Sequence, residues 1–358
     1  MPTRDIIVIG ASAGGVEALI NLAADLPLDI SAAIFVVVHF PSYSKSVLPQ
    51  ILNRAGPLKA EHAKDGQAIE RGHIYVAPPD WHLIVKREHI HLSRGPRENN
   101  HRPAIDTLFR SAAIAYGRRV IGVVLTGTLD DGTAGLLAVK QRGGLAIVQD
   151  PNHALFGEMP RSAIENVEID CILPLSEIAG VLVKLARELV VEEADRVSNS
   201  MEVESALAQM DMKTLQSDGR PGTPSAFACP ECGGVLWELK DGKYVRFRCR
   251  TGHAFSPKSL LASQSEALEE ALWSALRALE EKSALIRRMA ERAKERNQKL
   301  SAQRFEAQAK DADQSIALIR EALIRNDSNN NGEEETKASE IDRLLDDPKE
   351  ELESDRHN

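Results

Sequence analysis

The 358-residue sequence predicts an α/β protein: a doubly wound, mostly parallel sheet with an antiparallel hairpin, then a small cysteine-paired ribbon and a C-terminal helical hairpin. Three observations carry this expectation. Up to about residue 190, short β-branched runs alternate with amphipathic stretches. Runs that are apolar on successive residues suit strands buried on both faces, as in a parallel sheet covered by helices. Between residues 229 and 253, two pairs of metal-ligating residues flank a hairpin-like segment. From 258 to 325 there is almost no Gly or Pro, and apolar residues recur at helical spacing.

In chain order, strands are expected at 5–9, 33–38, 73–77, 82–86, 120–126 and 144–149, with helices near 15–24, 44–54, 104–116, 133–141 and 175–189. The stretch HIYVAPPDWHLIVKREHIHLSRG alternates more and contains Pro78-Pro79-Asp80, which reads as the turn of an antiparallel hairpin attached to the main sheet. This first domain spans 1–190. Residues 191–226 lose the apolar periodicity and end in the turn-rich SDGRPGTPS, so they read as a linker. A zinc-ribbon-like module follows at 227–257 and a helical, coiled-coil-like segment at 258–325. In that segment Ala302, Phe305, Ala309, Ala312, Ile316, Ile319 and Leu323 step by three and four, with a break near Asn297. Residues 326–358, beginning NDSNNNGEEETKASE, are polar enough to predict a disordered acidic tail.

Composition narrows the function. Hydrophobic residues make up 43% and charged residues 27%, as in a soluble globular chain with a sizeable core. The apolar runs IIVIG (6–10) and IFVVVH (34–39) are too short to span a bilayer, and no basic leader precedes them. A cytoplasmic protein without membrane insertion is expected, and three closely spaced cysteines suit a reducing compartment. The net charge of −9 falls mostly on 327–358, with 12 Asp/Glu against 4 Lys/Arg. The remainder is nearly neutral and aromatics are only 4%, so no electrostatic or stacking footprint for nucleic acid is present.

The segment IIVIGASAGGVEAL reads strand, glycine turn, helix. A dinucleotide loop needs glycine at its second fingerprint position, so that backbone can approach the pyrophosphate; here that position is Ser12. A serine on such a turn stands at the carboxyl edge of the sheet beside helix N–H groups able to hold an oxyanion. Its hydroxyl needs a base, and His39 directly ends the strand IFVVV (34–38) at the same edge. A carboxylate must then orient the imidazole. The strand VIGVVLTG (120–127) leads to Asp130 and Asp131, either of which can serve; the competing role is an N-cap for the helix starting near Thr133.

In order, GASAGGVEAL, VVVHFPSYSKSVLPQIL, DGQAIERGHIYVAPPDWHLIV, NNHRPAIDTLFRSAA, GVVLTGTLDDGTAGLLAVKQRGGLAIVQDP and FGEMPRSAIE resemble the catalytic domain of the CheB-type protein-glutamate methylesterases of bacterial chemotaxis, over roughly residues 4–190. The resemblance implies a Ser12, His39 and Asp131 triad, with Asp130 where the family often has Asn. It further implies hydrolysis of glutamyl γ-methyl esters on a protein such as a chemoreceptor, a related glutamine deamidation, and no cofactor for catalysis. Ala13 departs from a frequent threonine and Thr128 from a frequent methionine. The esterase motif starts at residue 6, so the N-terminal receiver domain usual in chemotaxis members is not expected, and control is expected from elsewhere. The C-terminal helices are the candidate surface for a signalling partner.

Cys229, Cys232, Cys249 and His253 have the residue types and spacing of a structural Cys3His zinc site, with VLWEL and KYVRFR as the hairpin between the pairs. The alternative is a metal-free ribbon of reduced thiols. Lys243, Arg246, Arg248 and Arg250 on this hairpin read as a solvated face rather than a nucleic-acid patch. Two other functions compete with an esterase. A non-catalytic adaptor has no need of an intact Ser12, His39 and Asp131; a nucleotide-binding protein predicts stoichiometric dinucleotide binding.

Overall fold

The computed structural model describes residues 2–40, 46–191, 197–211, 213–214 and 222–345, with 326–345 described by backbone alone. It divides into two units, Met1–Ser263 and Gln264–Asn358.

Seven strands form the main sheet: β1 (Ile6–Ala11), β2 (Ala33–Val38), β3 (Lys59–His62), β4 (His73–Val76), β7 (Val120–Val124), β8 (Leu145–Gln149) and β9 (Cys171–Leu173). Their spatial order is β3-β4-β2-β1-β7-β8-β9, and every pairing is parallel. β1, β2 and β7 are buried at every position, as their unbroken apolar runs require. On one face Ile7, Ile9, Val36 and Ile121 pack with Leu19, Leu22, Leu52 and Leu182 from α1 (Gly15–Asp25), α2 (Leu48–Ala55) and α6 (Leu175–Leu185). On the other, Val8, Phe35 and Val124 pack with Leu108, Phe109, Leu136 and Ala163 from α3 (Ile105–Tyr116), α4 (Thr133–Gln141) and α5 (Glu158–Asn166). The chain runs from β1 outward through β2 and β4, then returns to the other side of β1 as β7. The carboxyl ends of β1, β2 and β7 therefore meet where the strand order reverses, the place at which open α/β sheets bind ligands.

The antiparallel hairpin lies one element later than its expected turn. Pro78-Pro79-Asp80 only leads out of β4; the hairpin is β5 (His82–Val85) with β6 (Ile90–Ser93), a separate two-stranded sheet turning at 86–89. β4 is buried and paired parallel to both β2 and β3, which leaves no free edge for β5.

The stretch expected as a linker carries a helix, α7 (Asn199–Ala208), whose Glu204 is buried. The ribbon is a four-stranded antiparallel sheet of β10 (Thr223–Ala228), β11 (Val235–Asp241), β12 (Tyr244–Cys249) and β13 (Ala254–Phe255). Two of its basic residues correct the expectation of a solvated face: Arg246 and Arg248 are 8% and 3% exposed. Arg248 lies 3.0 Å from Glu98 and 2.9 Å from Glu204, Arg246 is paired with Glu204, and Arg110 of α3 lies 2.6 Å from Glu98. Buried guanidiniums need such partners, and here the partners belong to α7 and to the loop before α3.

The second unit is formed by most of α8 (Pro257–Glu295) together with α9 (Lys299–Leu345), joined around Asn297 with a left-handed φ of 56°. Leu276, Ile316 and Leu323 form its buried seam. The α9 backbone stays helical to Leu345, well past the residue at which a disordered tail was expected to begin. EEETKASEIDRLL is rich in good helix formers despite its polarity. The rest of that expected tail, 346–358, lies outside the described residues.

Candidate active site

Ser12 is the first residue after β1, on a turn that leads into α1 through Gly14 at φ 72°. The turn is tied on both sides. The Ser12 N–H donates to the Thr126 carbonyl (3.0 Å), and Gly15 N–H donates to the Ser12 carbonyl (2.9 Å). Thr126 Oγ1 donates to the Ala13 carbonyl (3.0 Å) and accepts from Phe156 N–H (2.8 Å). Gly127 lies so close that a Cβ there would fall 2.2 Å from Met159 Sδ and 2.9 Å from Ser12 Cβ. Any larger residue at 127 would force Met159, Ser12 or the loop itself to shift.

His39 follows β2 directly, and its two ring nitrogens face two different partners: Nδ1 is 3.1 Å from Ser12 Oγ, and Nε2 is 2.8 Å from Asp131 Oδ2. An ionised carboxylate only accepts, so the ring proton sits on Nε2 and the Nδ1 lone pair faces the serine hydroxyl. Placement at the sheet edge left two aspartates open, and the structure brings Asp131 to the histidine. Asp130 is engaged elsewhere: its Oδ1 accepts from Ser256 Oγ (2.6 Å), and burial pushes its carboxyl up to about 6.

Asp131 is completely enclosed and accepts from five donors. Oδ2 takes His39 and Ile105 N–H (2.7 Å); Oδ1 takes Asn99 Nδ2 (3.0 Å), Asp106 N–H (3.2 Å) and Gly132 N–H (3.0 Å). Burial alone would raise its pKa, but the hydrogen bond and charge of His39 hold the carboxyl below the usual carboxylate range. Neither aspartate of the pair caps α4 in the expected way. Asp106, from the first turn of α3, accepts from Gly132 N–H (3.0 Å) and Gly135 N–H (2.6 Å) at the start of α4, while Asp131 receives the first N–H groups of α3. Each carboxylate thus supplies the other helix's cap. Burial, then the neighbouring Asp131 charge, pushes the Asp106 carboxyl well up.

Two further residues escaped the sequence analysis. Asn99 donates from Nδ2 to both Asp131 and Asp106 (3.0 and 2.9 Å). His101 stacks on His39 with ring centroids 3.5 Å apart and planes within 8°. Burial, then the charge of His39, pushes His101 down to about 3, so it stays neutral and presents a flat polarizable face to the imidazole. Their only signal was that both fall in NNHRP, a motif to which no role had been given.

Cys229, Cys232, Cys249 and His253 also converge: one ligand atom from each lies within 4.8 Å of all the others. Cys229 Sγ and Cys249 Sγ are 3.7 and 3.5 Å from His253 Nδ1, and Cys232 Sγ is 3.7 Å from Cys249 Sγ. A sulfur separation of this size is far beyond a disulfide and close to the edge, about 3.8 Å, of a tetrahedron with metal–sulfur bonds of about 2.3 Å. The cluster fits a four-coordinate metal with no position left for substrate.

The profile of the family described as CheB methylesterase matches residues 7–182. A relative from Leptospira interrogans, named putative protein-glutamate methylesterase/protein-glutamine glutaminase, is 40% identical over 51% of this chain and 94% of its own length. Relatives named protein-glutamate methylesterase/protein-glutamine glutaminase from Chromohalobacter salexigens and Pyrococcus horikoshii are 39% and 34% identical, over 52% and 51% of this chain and 53% and 51% of theirs. A crystal structure of the Thermotoga maritima CheB methylesterase catalytic domain is 36% identical over 51% of this chain and 98% of that one, with a TM-score of 0.49. These matches span about half of this chain.

Proposed function

The chain belongs to the CheB methylesterase family, and from that membership we propose that it hydrolyses glutamyl γ-methyl esters on a protein substrate with Ser12 as nucleophile, His39 as base and Asp131 as its orienting carboxylate. The observation that carries the residue assignment is the unbroken chain of contacts from Ser12 Oγ through both nitrogens of His39 to Asp131, at 3.1 and 2.8 Å.

The chemistry follows from the groups present. Ser12 Oγ attacks the ester carbonyl as His39 Nδ1 takes its proton, and the ionised Asp131 stabilises the imidazolium through Nε2–H. Backbone N–H groups where the glycine turn enters α1 receive the developing oxyanion. The imidazolium returns the proton to the leaving methoxide, and methanol departs from the acyl-enzyme. Water, deprotonated by the same nitrogen, then releases the glutamate carboxylate and regenerates Ser12. A glutamine side chain follows the same course with ammonia as leaving group, which is the second activity in the relatives' names.

We read the substrate as a methylated signalling protein such as a chemoreceptor, the C-terminal helices as a surface for a signalling partner, and the enzyme as cytoplasmic, without nucleic-acid ligands. Among the described residues no helix is long and apolar enough to cross a membrane. For the Cys3His cluster we propose structural zinc, supported by its ligand set and separations. The functional test incubates the protein with a methylated receptor cytoplasmic fragment and measures methanol. Release is expected from the native enzyme and not from Ser12→Ala; no release from any methylated signalling protein would overturn the assignment. Elemental analysis of the washed protein is expected to find about one zinc per chain.

A further inference from the structure

We propose that the Cys3His ribbon is a working part of the esterase site: it clamps Asn99, and Asn99 is the positioning residue that holds Asp131 in line with His39. This rests on the triad reading above. The ribbon's cluster is remote in sequence from the triad, yet a short and continuous set of contacts joins them.

His253 is followed by Ala254, whose N–H donates to the Arg97 carbonyl (3.2 Å) and whose carbonyl accepts from Asn99 N–H (2.8 Å). β13 thus runs as a strand partner to the loop 97–99. Two residues on, Ser256 N–H donates to Asn99 Oδ1 (2.9 Å), and Ser259 Oγ donates to the same oxygen (3.0 Å). The other end of that amide donates to Asp131 and Asp106. Asn99 is therefore held by its oxygen from the ribbon side and spends its nitrogen on the triad. An amide has two acceptor sites on its oxygen and two donors on its nitrogen, so these four bonds saturate it and fix which way it points.

Its neighbours repeat the arrangement. Glu98 is paired with Arg248 of β12, Asn100 Oδ1 accepts from Ser263 Oγ (2.7 Å), and His101 stacks on His39. Asn99 and Asn100 both sit in the left-handed region, at φ 51° and 69°. Two consecutive non-glycine residues there persist only when their surroundings over-determine them. Here those surroundings are the ribbon and the first turns of α8. Without them nothing described on the ribbon side holds Asn99 Oδ1, and the segment is free to relax toward ordinary dihedrals. Such relaxation takes Asn99 from Asp131 and His101 from His39 together. The four metal ligands set the fold of this small sheet, because a ribbon with few buried apolar side chains cannot fix its own geometry. The four ligands thereby act on the rate through Asn99, and not through substrate contact.

The test uses the full chain, with zinc stripped by chelator and restored, and with loading verified by elemental analysis. A glutamyl methyl-ester peptide reports kcat and KM. In protein labelled with nitrogen-15 at histidine, the His39 Nε2–H resonance reports its hydrogen bond to Asp131. Removing zinc is expected to lower kcat about 10- to 100-fold, the scale of a misplaced catalytic group, with KM changed by less than about threefold. The Nε2–H resonance should be lost with zinc and return with it. Asn99→Ala is expected to reproduce the kcat loss with zinc still bound. Ser259→Ala should do so in part, and Ser259→Thr, which keeps the hydroxyl, should recover the native rate.

A zinc-free protein that keeps its kcat and its resonance would overturn the proposal. If stripping zinc precipitates the protein, the Ser259 pair decides: equal kcat in Ser259→Ala and the native enzyme refutes the clamp. If zinc-loaded native enzyme turns over no ester, the triad's proposed function fails. The resonance then decides the clamp by itself, zinc-dependent loss supporting it and persistence refuting it.

Discussion

His39 meets Ser12 through Nδ1 and Asp131 through Nε2, so the proton that must be absent from one nitrogen is held at the other by a carboxylate with five donors around it. Ser12→Ala and His39→Ala are each expected to cut ester hydrolysis by several orders of magnitude, and the double variant to cost little more, because the members act as a unit. Asp131→Asn should be severe, since an amide can hold the wrong tautomer and cannot stabilise imidazolium. Asp130→Asn should be mild, because its carboxylate meets Ser256 rather than His39. Rates of these five variants check this; an inactive Asp130→Asn with a fully active Asp131→Asn would exchange the two roles. Ser12 and His39 were legible because each directly ends an apolar run, a one-dimensional sign of the sheet's carboxyl edge. The choice between Asp130 and Asp131 was not legible from placement, because adjacent residues in a loop share an edge and differ only in direction. Asn99, Asp106 and His101 carried no local sign of their roles beyond lying together in NNHRPAIDTLFRSAA, since each acts across at least 20 residues of chain on a group that only the fold brings near.

Among the elements, the ribbon strand β12 was misjudged for a related reason. Arg246 and Arg248 alternate with apolar residues in KYVRFR as solvent-facing residues do, but the face they occupy meets α7 and the Glu98 loop. Periodicity tells which residues share a face and not what covers it. Glu98 is held down to about 2 by the charges of Arg110 and Arg248 against the cost of its burial, and Glu204 is likewise depressed by Arg246, Arg248 and Arg110. Both folded-state values lie below the ordinary 4.5 of a glutamate. The stability they contribute is therefore complete above about pH 4.5 and lost as pH falls from there toward 2. Glu204→Gln leaves three buried guanidiniums, those of Arg246, Arg248 and Arg110, short of charge and is expected to cost about 3–5 kcal/mol at neutral pH. It should also flatten the acid limb of stability against pH, as measured by urea unfolding. An unchanged acid limb would assign acid sensitivity to other groups.

For the whole molecule, the central strands of the parallel sheet and most of its covering helices followed from apolar runs, while β3, β6, β9, β10, β13, α5 and α7 were missed. Apart from β10, the strands among these have only two to four residues; β10 starts in turn-rich sequence read as a linker, and α7 lies in polar sequence, where helix spacing is faint. The division after Ser263 also carries a functional consequence. Ser12, His39, Asp131, the Asn99 clamp, the buried ion network and all four cluster ligands fall within Met1–Ser263, whereas Gln264–Asn358 has a separate apolar seam. Cutting the helical segment at its sequence-based start, residue 258, would remove Ser259 and Ser263 and confuse catalysis with recruitment. Cutting after Ser263 keeps every contact to Asn99 and Asn100. A chain ending there is expected to retain zinc and to hydrolyse a small glutamyl ester with kcat within about twofold of the full protein, as for a unit with its own core. The same chain should lose rate on a methylated signalling protein if the helices recruit it. Parallel assays on the small ester and the protein substrate separate the two effects. Loss of small-ester turnover in a folded, zinc-loaded truncation would mean that the helices belong to the catalytic site, and equal rates on both substrates would remove them from substrate recruitment.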